Sequence, residues 1–167
     1  MKPTFTLCGG NRIDKAIFLA TQAHMGQLDK AGNPYILHPL RVMLTQKDRE
    51  LQIAAVLHDV VEDTEVTLED IVREFDPNIA NMVDILTRKK NQSRRNYIKN
   101  ITHHPVLLSV KLQDMKDNLS PNRMYHLASE VRERLLAKYK KDLLYMKSLG
   151  CKNELLDELL HRFEKGA

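Results

Sequence analysis

The sequence predicts an all-α fold, a bundle of about eight to ten helices, on two observations. Apolar residues recur at helical spacing along most of the chain, with capping residues before the runs and breakers after them. Six Gly, six Pro and only 5% aromatic residues argue against a sheet-rich fold with many turns.

The elements follow in order. From Arg12, the pattern Ile13, Ala16, Ile17, Ala20, Ala23 gives a first amphipathic helix that Gly26 ends. Gln27 to Pro39 (QLDKAGNPYILHP) holds too many breakers to continue it and reads as a loop. Pro39, as first helical residue, starts a short helix through Val42 and Met43. Asp48 is the expected N-cap of the next, whose run Leu51, Ile53, Ala54, Ala55, Val56, Leu57 is apolar almost all round and so belongs in the centre. Thr67 with Asp70 forms a capping box, and Asp76-Pro77 marks another start. Ile71, Val72 and Phe75 are expected to face the core from the first of these two helices, and Ile79, Met82, Val83 and Leu86 from the second. Ser93 and Pro105 open two more. Segments from about Ala128 to Leu149, stopped by Gly150, and from Asn153 to Phe163 complete the count.

The chain has 167 residues, 43% hydrophobic and 29% charged, enough for one self-sufficient core and unlike a disordered or fibrous chain. No linker or repeat divides it, so residues 1–167 are expected to form one domain. Cys8 and Cys151 lie near opposite ends without metal spacing, the pattern of a reduced, cytoplasmic protein. No apolar run approaches the roughly 20 residues needed to cross a bilayer, and MKPTFTLCGG lacks a signal peptide's apolar stretch. A net charge of +4 favours an anionic partner. Without an aromatic-interleaved basic ribbon, that partner is expected to be a small phosphorylated molecule, with neither nucleic acid nor membrane involved. The oligomeric state is left open.

Four polar positions stand out against the apolar pattern. His58 and Asp59 end the most apolar helix, where a bare carboxylate is costly to bury. His38, at the end of the proline loop, and Asp114, in the run Val110 to Leu119, could supply two further ligands to the same ion. Two imidazoles and two carboxylates suit Mn²⁺, Fe²⁺ or Zn²⁺ in an open, hydrolytic site, and suit structural zinc poorly because no thiolate takes part. The competing reading is a His-Asp pair that caps a helix locally.

His38 in HP, the HD of His58-Asp59 and Asp114 in VKLQD together match the H…HD…D signature, and the chain in this respect resembles the HD-domain metal-dependent phosphohydrolases. AHMGQLDKAGNPYILHP, AAVLHDVVEDTEVTLEDIVREF, DILTRK and VKLQDMKDN narrow the likeness to the hydrolase domain of the RelA/SpoT alarmone enzymes and their stand-alone small alarmone hydrolases. The motifs run from about Ile13 to Asn118, and HDVVEDT is the specific part.

The resemblance implies an all-helical, Mn²⁺-binding enzyme that removes the 3′-pyrophosphate of guanosine tetra- or pentaphosphate, leaving GDP or GTP. By motif, His38, His58, Asp59 and Asp114 would be the metal ligands, with Glu62 and Asp63 as catalytic acids beside the ion. Glu62, four residues past His58 on a helical path, is expected to share its face and meet a water there. Lys30 would face phosphate and Asn118 the nucleotide sugar, and Arg134, twenty positions after Asp114, would match a substrate arginine. The basic run Arg88, Lys89, Lys90, Arg94, Arg95 could receive pyrophosphate or be a solvated loop. His24 is read as packed, exposed or supporting the site, and Tyr35 as a plug in the loop before His38.

Asp29 departs from the family, which carries arginine there against the guanine base. A carboxylate offers no flat cation for stacking and no attraction for polyphosphate. An adenosine alarmone, a dinucleotide phosphate such as NADPH or another nucleoside phosphate is therefore the alternative substrate. A non-catalytic nucleotide-binding module is the third reading, opposed by the intact ligand set. The length leaves no room for a synthetase domain, so no nucleotide synthesis is expected.

Overall fold

The computed structural model describes residues 10–164, and Cys8 lies outside them. Among the described residues there are eleven helices and no strand beyond an isolated Leu28–Pro34 bridge. The all-α expectation holds.

Local chemistry sets most boundaries. Asn11 caps α1 (Arg12–Ala23) through the amides of Ile13 and Asp14, and Gly26, at φ 78°, turns the chain after it. Asp48 caps α3 (Arg49–Val56) through Glu50 and Leu51. The capping box of Thr67 and Asp70 opens α5 (Leu68–Glu74), and Asp76 with Pro77 opens α6 (Pro77–Leu86). Ser93 caps α7 (Arg94–Thr102), and Pro105 is the first residue of α8 (Pro105–Asn118). Past α10 (Ser129–Ser148), Gly150 reverses the chain at φ 82° ahead of α11 (Glu154–Glu164).

Three boundaries depart from the sequence reading. α2 (Leu37–Leu44) begins two residues before Pro39, because the amides of Leu37 and His38 already bond to Pro34 and Tyr35 as a turn feeding the helix. α3 stops at Val56, and the turn 57–59 separates it from the single turn α4 (Val60–Asp63). A short α9 (Pro121–Tyr125), started by Pro121, was not expected. On α5 only Ile71 is fully buried, and Val72 is 43% exposed instead of facing the core.

α3 is the hub. It packs against α1, α2, α6 and α8, so residues Ile53 to Leu57 are all buried, and an apolar perimeter has solvent on no side. Truncating Leu57 to Ala would remove a fully buried side chain at a cost of about 2–5 kcal/mol. The packing has a positional consequence: α2, the end of α3 and α8 converge on one point beneath the loop 27–35. No helix among the described residues is long and apolar enough to cross a membrane.

Candidate active site

α2 delivers His38 to that point, the turn after α3 delivers His58 and Asp59, and α8 delivers Asp114. His38 Nε2 lies 3.1 Å from Asp114 Oδ1, and His58 Nε2 lies 3.0 Å from Asp59 Oδ2. The crossed pairs, His38 with Asp59 and His58 with Asp114, are 3.8 and 3.9 Å apart. Bonds of about 2.0–2.2 Å to one ion put neighbouring donors about 3 Å apart and opposite ones about 4 Å apart. His38, His58 and Asp114 offer donors that all lie within 4.8 Å of one another, and Asp59 adjoins this trio through His58 rather than belonging to it.

The far side of each ring fixes which nitrogen faces inward. His58 Nδ1 is 2.7 Å from the Ala55 carbonyl, and His38 Nδ1 is 2.7 Å from Asp117 Oδ2. Both partners only accept, so each Nδ1 carries its proton and turns Nε2 to the cluster, the orientation a metal-ligating histidine needs. His58 Nε2 is buried and has no well-aligned hydrogen-bond partner, despite the carboxylate 3.0 Å away. The charges agree. Burial would lower the His58 pKa, yet Asp59 and Asp114 raise it to about 10, so the carboxylates draw positive charge to this nitrogen. Burial opposes ionisation of Asp114 too, but Lys111, 2.6 Å away, and the two histidines hold its carboxyl well below the ordinary range. Mixed nitrogen and oxygen donors, one of them orphaned, suit a divalent metal.

The flanking acids divide. Tyr35 donates its hydroxyl to Asp59 at 2.5 Å and lies 3.4 Å from Asp63, so one phenol ties the two acids together. Burial, then the charges of Asp59 and Glu62, push the Asp63 pKa up. Glu62 instead accepts from the Arg88 amide at 2.9 Å. His58 lies in the turn 57–59 ahead of α4, and the Glu62 carboxylate is held toward the end of α6. Both acids line a cavity of about 410 Å³ that has His38, Asp59 and Asp114 in its wall.

A family model for the HD domain matches residues 16–133, most of the chain and all of this cluster. The chain belongs to the HD domain family. A guanosine-3′,5′-bis(diphosphate) 3′-pyrophosphohydrolase of Borreliella burgdorferi is 38% identical over 123 residues, 65% of this chain and 18% of that protein. One of the same name from Aquifex aeolicus is 37% identical over 119 residues, 64% of this chain and 17% of that protein. The bifunctional (p)ppGpp synthase/hydrolase SpoT of Escherichia coli is 31% identical over 143 residues, 73% of this chain and 20% of that protein. The chain thus spans about a fifth of the length of these relatives. A solved structure described as a metazoan ortholog of SpoT that hydrolyzes ppGpp superposes with a TM-score of 0.77 at 23% identity, covering 98% of this chain and 99% of that one, which shows a common fold.

The other expected residues of this HD domain are distributed unevenly. Lys30 and Asn118 line the cavity, and Asn118 donates to Asp114 Oδ1 at 2.5 Å. Arg134 is exposed and outside the lining, which α10 supplies through Leu135, Lys138 and Tyr139. Of the basic run, Arg88 and Arg94 reach the cavity; Lys89 pairs with Asp84, and Arg95 stacks 4.0 Å over Tyr145. His24 is buried, with its ring 4.8 Å from that of Tyr35. Asp29 is turned inward: Oδ1 accepts from the amides of Ala31 and Asn33 at 2.9 and 3.0 Å, and Oδ2 lies 3.5 Å from Arg123 Nε. It lines the cavity beside Lys30, and its carboxylate is engaged by the loop's own amides and by Arg123. Sequence reasoning missed Asp117, Lys111, Arg123 and Lys138; the i, i+3 spacing of Lys111 and Asp114 on α8 was the available signal for one of them.

Proposed function

We propose that this chain removes the 3′-pyrophosphate of guanosine tetra- or pentaphosphate, releasing pyrophosphate and GDP or GTP. The observation that carries the reading is the approach of His38 and His58 Nε2 to the Asp59 and Asp114 carboxylates at 3.0–3.9 Å, with His38, Asp59 and Asp114 in the wall of a cation-lined cavity. The names of the bacterial relatives support the substrate. In this reading residues 1–167 are one HD-type domain acting on a cytoplasmic nucleotide.

His38, His58, Asp59 and Asp114 would hold the ion, with Mn²⁺ the expected metal and Fe²⁺ or Zn²⁺ able to fit the same donors. When bound, it supplies Lewis-acid polarisation of the phosphoryl oxygens and lowers the pKa of the attacking water. The chain's own residues do the rest. The water oxygen bonds to the phosphorus attached to O3′, that P–O3′ bond breaks, and O3′ leaves as the ribose hydroxyl, gaining one proton in balance for the one the water loses. Asp63, whose pKa is raised, is suited to take the water's proton, while Glu62 orients the same water from the Arg88 side. Tyr35 keeps Asp59 and Asp63 in register. Lys30 meets substrate phosphate, and Asn118 holds Asp114 and faces the sugar.

The test is release of pyrophosphate and GDP from guanosine tetraphosphate with Mn²⁺, run beside adenosine alarmones and NADPH. Turnover of the guanosine compound that Asp59→Ala and Glu62→Ala abolish is the expected result. Turnover confined to another nucleotide would replace the substrate, and activity surviving both substitutions would place the chemistry elsewhere.

A further inference from the structure

Glu62 and Asp63 ride on α4, a single turn of four residues. One helical turn does not hold itself together in water, because its few internal bonds do not repay the dihedrals they fix. Its last carbonyls also lack partners within the helix. The aim of both acids therefore depends on contacts from outside α4. On one side the backbone amide of Arg88 holds the Glu62 carboxylate. On the other, the side-chain amide of Gln27 donates to the Asp63 carbonyl at 3.2 Å, across 36 positions of sequence.

Gln27 is itself held on both its backbone and its side chain. Its backbone carbonyl accepts from the Tyr35 amide at 2.9 Å, and Tyr35 is the residue whose hydroxyl reaches Asp59 and Asp63. Its side-chain oxygen lies 2.9 Å from His24 Nδ1. The Asp63 carbonyl only accepts, so Gln27 turns its NH₂ to that carbonyl and its oxygen to His24, and the His24 proton sits on Nδ1. His24 is 2% exposed and packs on the Tyr35 ring, while its Nε2 has no hydrogen-bond partner. The bond to Gln27 thus satisfies the buried imidazole on one side and orients the amide on the other. Neither Gln27 nor His24 is in the cavity wall, so both act on the site through α4.

We propose that Gln27, oriented by His24, is a positioning residue that anchors the end of α4 and so keeps Asp63 and Glu62 aimed at the reacting water. The inference rests on the phosphohydrolase reading for the task of the two acids, and deepens it. One net hydrogen bond is worth about 3–10-fold in an equilibrium. An acid that loses its aim costs rate more than binding, because orientation matters most in the transition state.

Amide hydrogen exchange and steady-state kinetics of the full chain test this together. The Asp63 amide bonds to the Asp59 carbonyl at 2.9 Å and so reports the opening of α4. In Gln27→Met, which keeps the length without the polar atoms, that amide exchanges about 3–10-fold faster, with the amides of α3 unchanged. With Mn²⁺ and the nucleotide that the chain turns over, kcat falls by a similar factor, while KM and Mn²⁺ affinity stay within about two-fold. Gln27→Glu keeps an acceptor for His24 but offers no donor to the Asp63 carbonyl, so it behaves as Gln27→Met does. Unchanged Asp63 exchange in Gln27→Met, a loss carried by KM or by Mn²⁺ affinity, or a Gln27→Glu chain with the original kcat overturns the proposal. The exchange readout needs no turnover: a chain that hydrolyses no nucleotide overturns the proposed reaction, and the Asp63 amide still decides whether Gln27 anchors α4.

Discussion

His38 is held from behind by Asp117: Nδ1 lies 2.7 Å from Oδ2 while Nε2 points at Asp114, 3.1 Å away. Asp117 is itself fixed by Arg41, at 2.6 and 3.0 Å, and by Arg123 at 2.8 Å. Arg123 in turn lies 3.5 Å from Asp29, so a line of alternating charge runs from the loop 27–35 to the cluster. The ring is oriented by electrostatics as well as by packing.

Replacing Asp117 with Asn keeps the size but removes the charge that draws the Nδ1 proton and both guanidinium groups. Carboxylate partners of this kind are worth about 10–100-fold in metal affinity. Asp117→Asn is expected to weaken Mn²⁺ binding by that factor in a chelator competition, with the helical circular dichroism unchanged. Unchanged affinity would mean that packing alone holds His38.

Helix starts such as Asp48, Thr67 with Asp70, Asp76-Pro77 and Ser93 were legible because a cap bonds amides two or three residues away. The cluster was legible because its residue types are unusual beside an apolar run. The Asp117 contacts were not, since His38 and Arg41 are 79 and 76 positions distant and a charged residue late in a helix reads as solvated. The break at 57–59 was hidden because Leu57, His58 and Asp59 include neither glycine nor proline, and Leu57 is an ordinary helix former. Asp29 looked like a lost substrate contact until Arg123, 94 positions on by the numbering, came beside it.

Asp29 should therefore behave as a structural residue. Asp29→Ala leaves the amides of Ala31 and Asn33 without their acceptor and removes one partner of Arg123. A loss of about 1–3 kcal/mol is expected in urea unfolding. Asp29→Arg, which introduces the residue type of the alarmone hydrolases, places a second guanidinium beside Arg123 and should destabilise at least as much. A more stable Asp29→Arg chain would contradict the inward-facing role.

Acid should unfold the protein partly through Asp117. Burial raises its pKa, but the hydrogen bonds from His38 and Arg41 and the nearby positive charges outweigh burial and hold it well below the ordinary 3.8. A carboxyl with a depressed folded pKa contributes stability that is complete above its unfolded value and is lost as pH falls through the folded one. The urea midpoint should accordingly fall as pH drops below about 4. Asp117→Asn should start lower and lose less over the same interval. Parallel curves for the two chains would remove Asp117 from the acid response.

Tyr35 joins the histidine and aspartate cluster, through Asp59, to Asp63, the acid that would receive a proton. Its hydroxyl donates to Asp59 at 2.5 Å and sits 3.4 Å from Asp63, and burial with the Asp59 charge pushes its own pKa far up, so it remains a donor throughout the working range. Tyr35→Phe keeps the ring against His24 and His38 but frees both carboxylates. The loss should appear mainly in kcat, by about 10-fold for a hydrogen bond to a charged group, with KM little changed because no phosphate contact is removed. The Asp63 pKa should rise further once the hydroxyl no longer favours its charged form, moving the acid limb of the kcat profile to higher pH. A Tyr35→Phe chain with the original kcat and the original acid limb would return Tyr35 to the role of a plug beneath the loop.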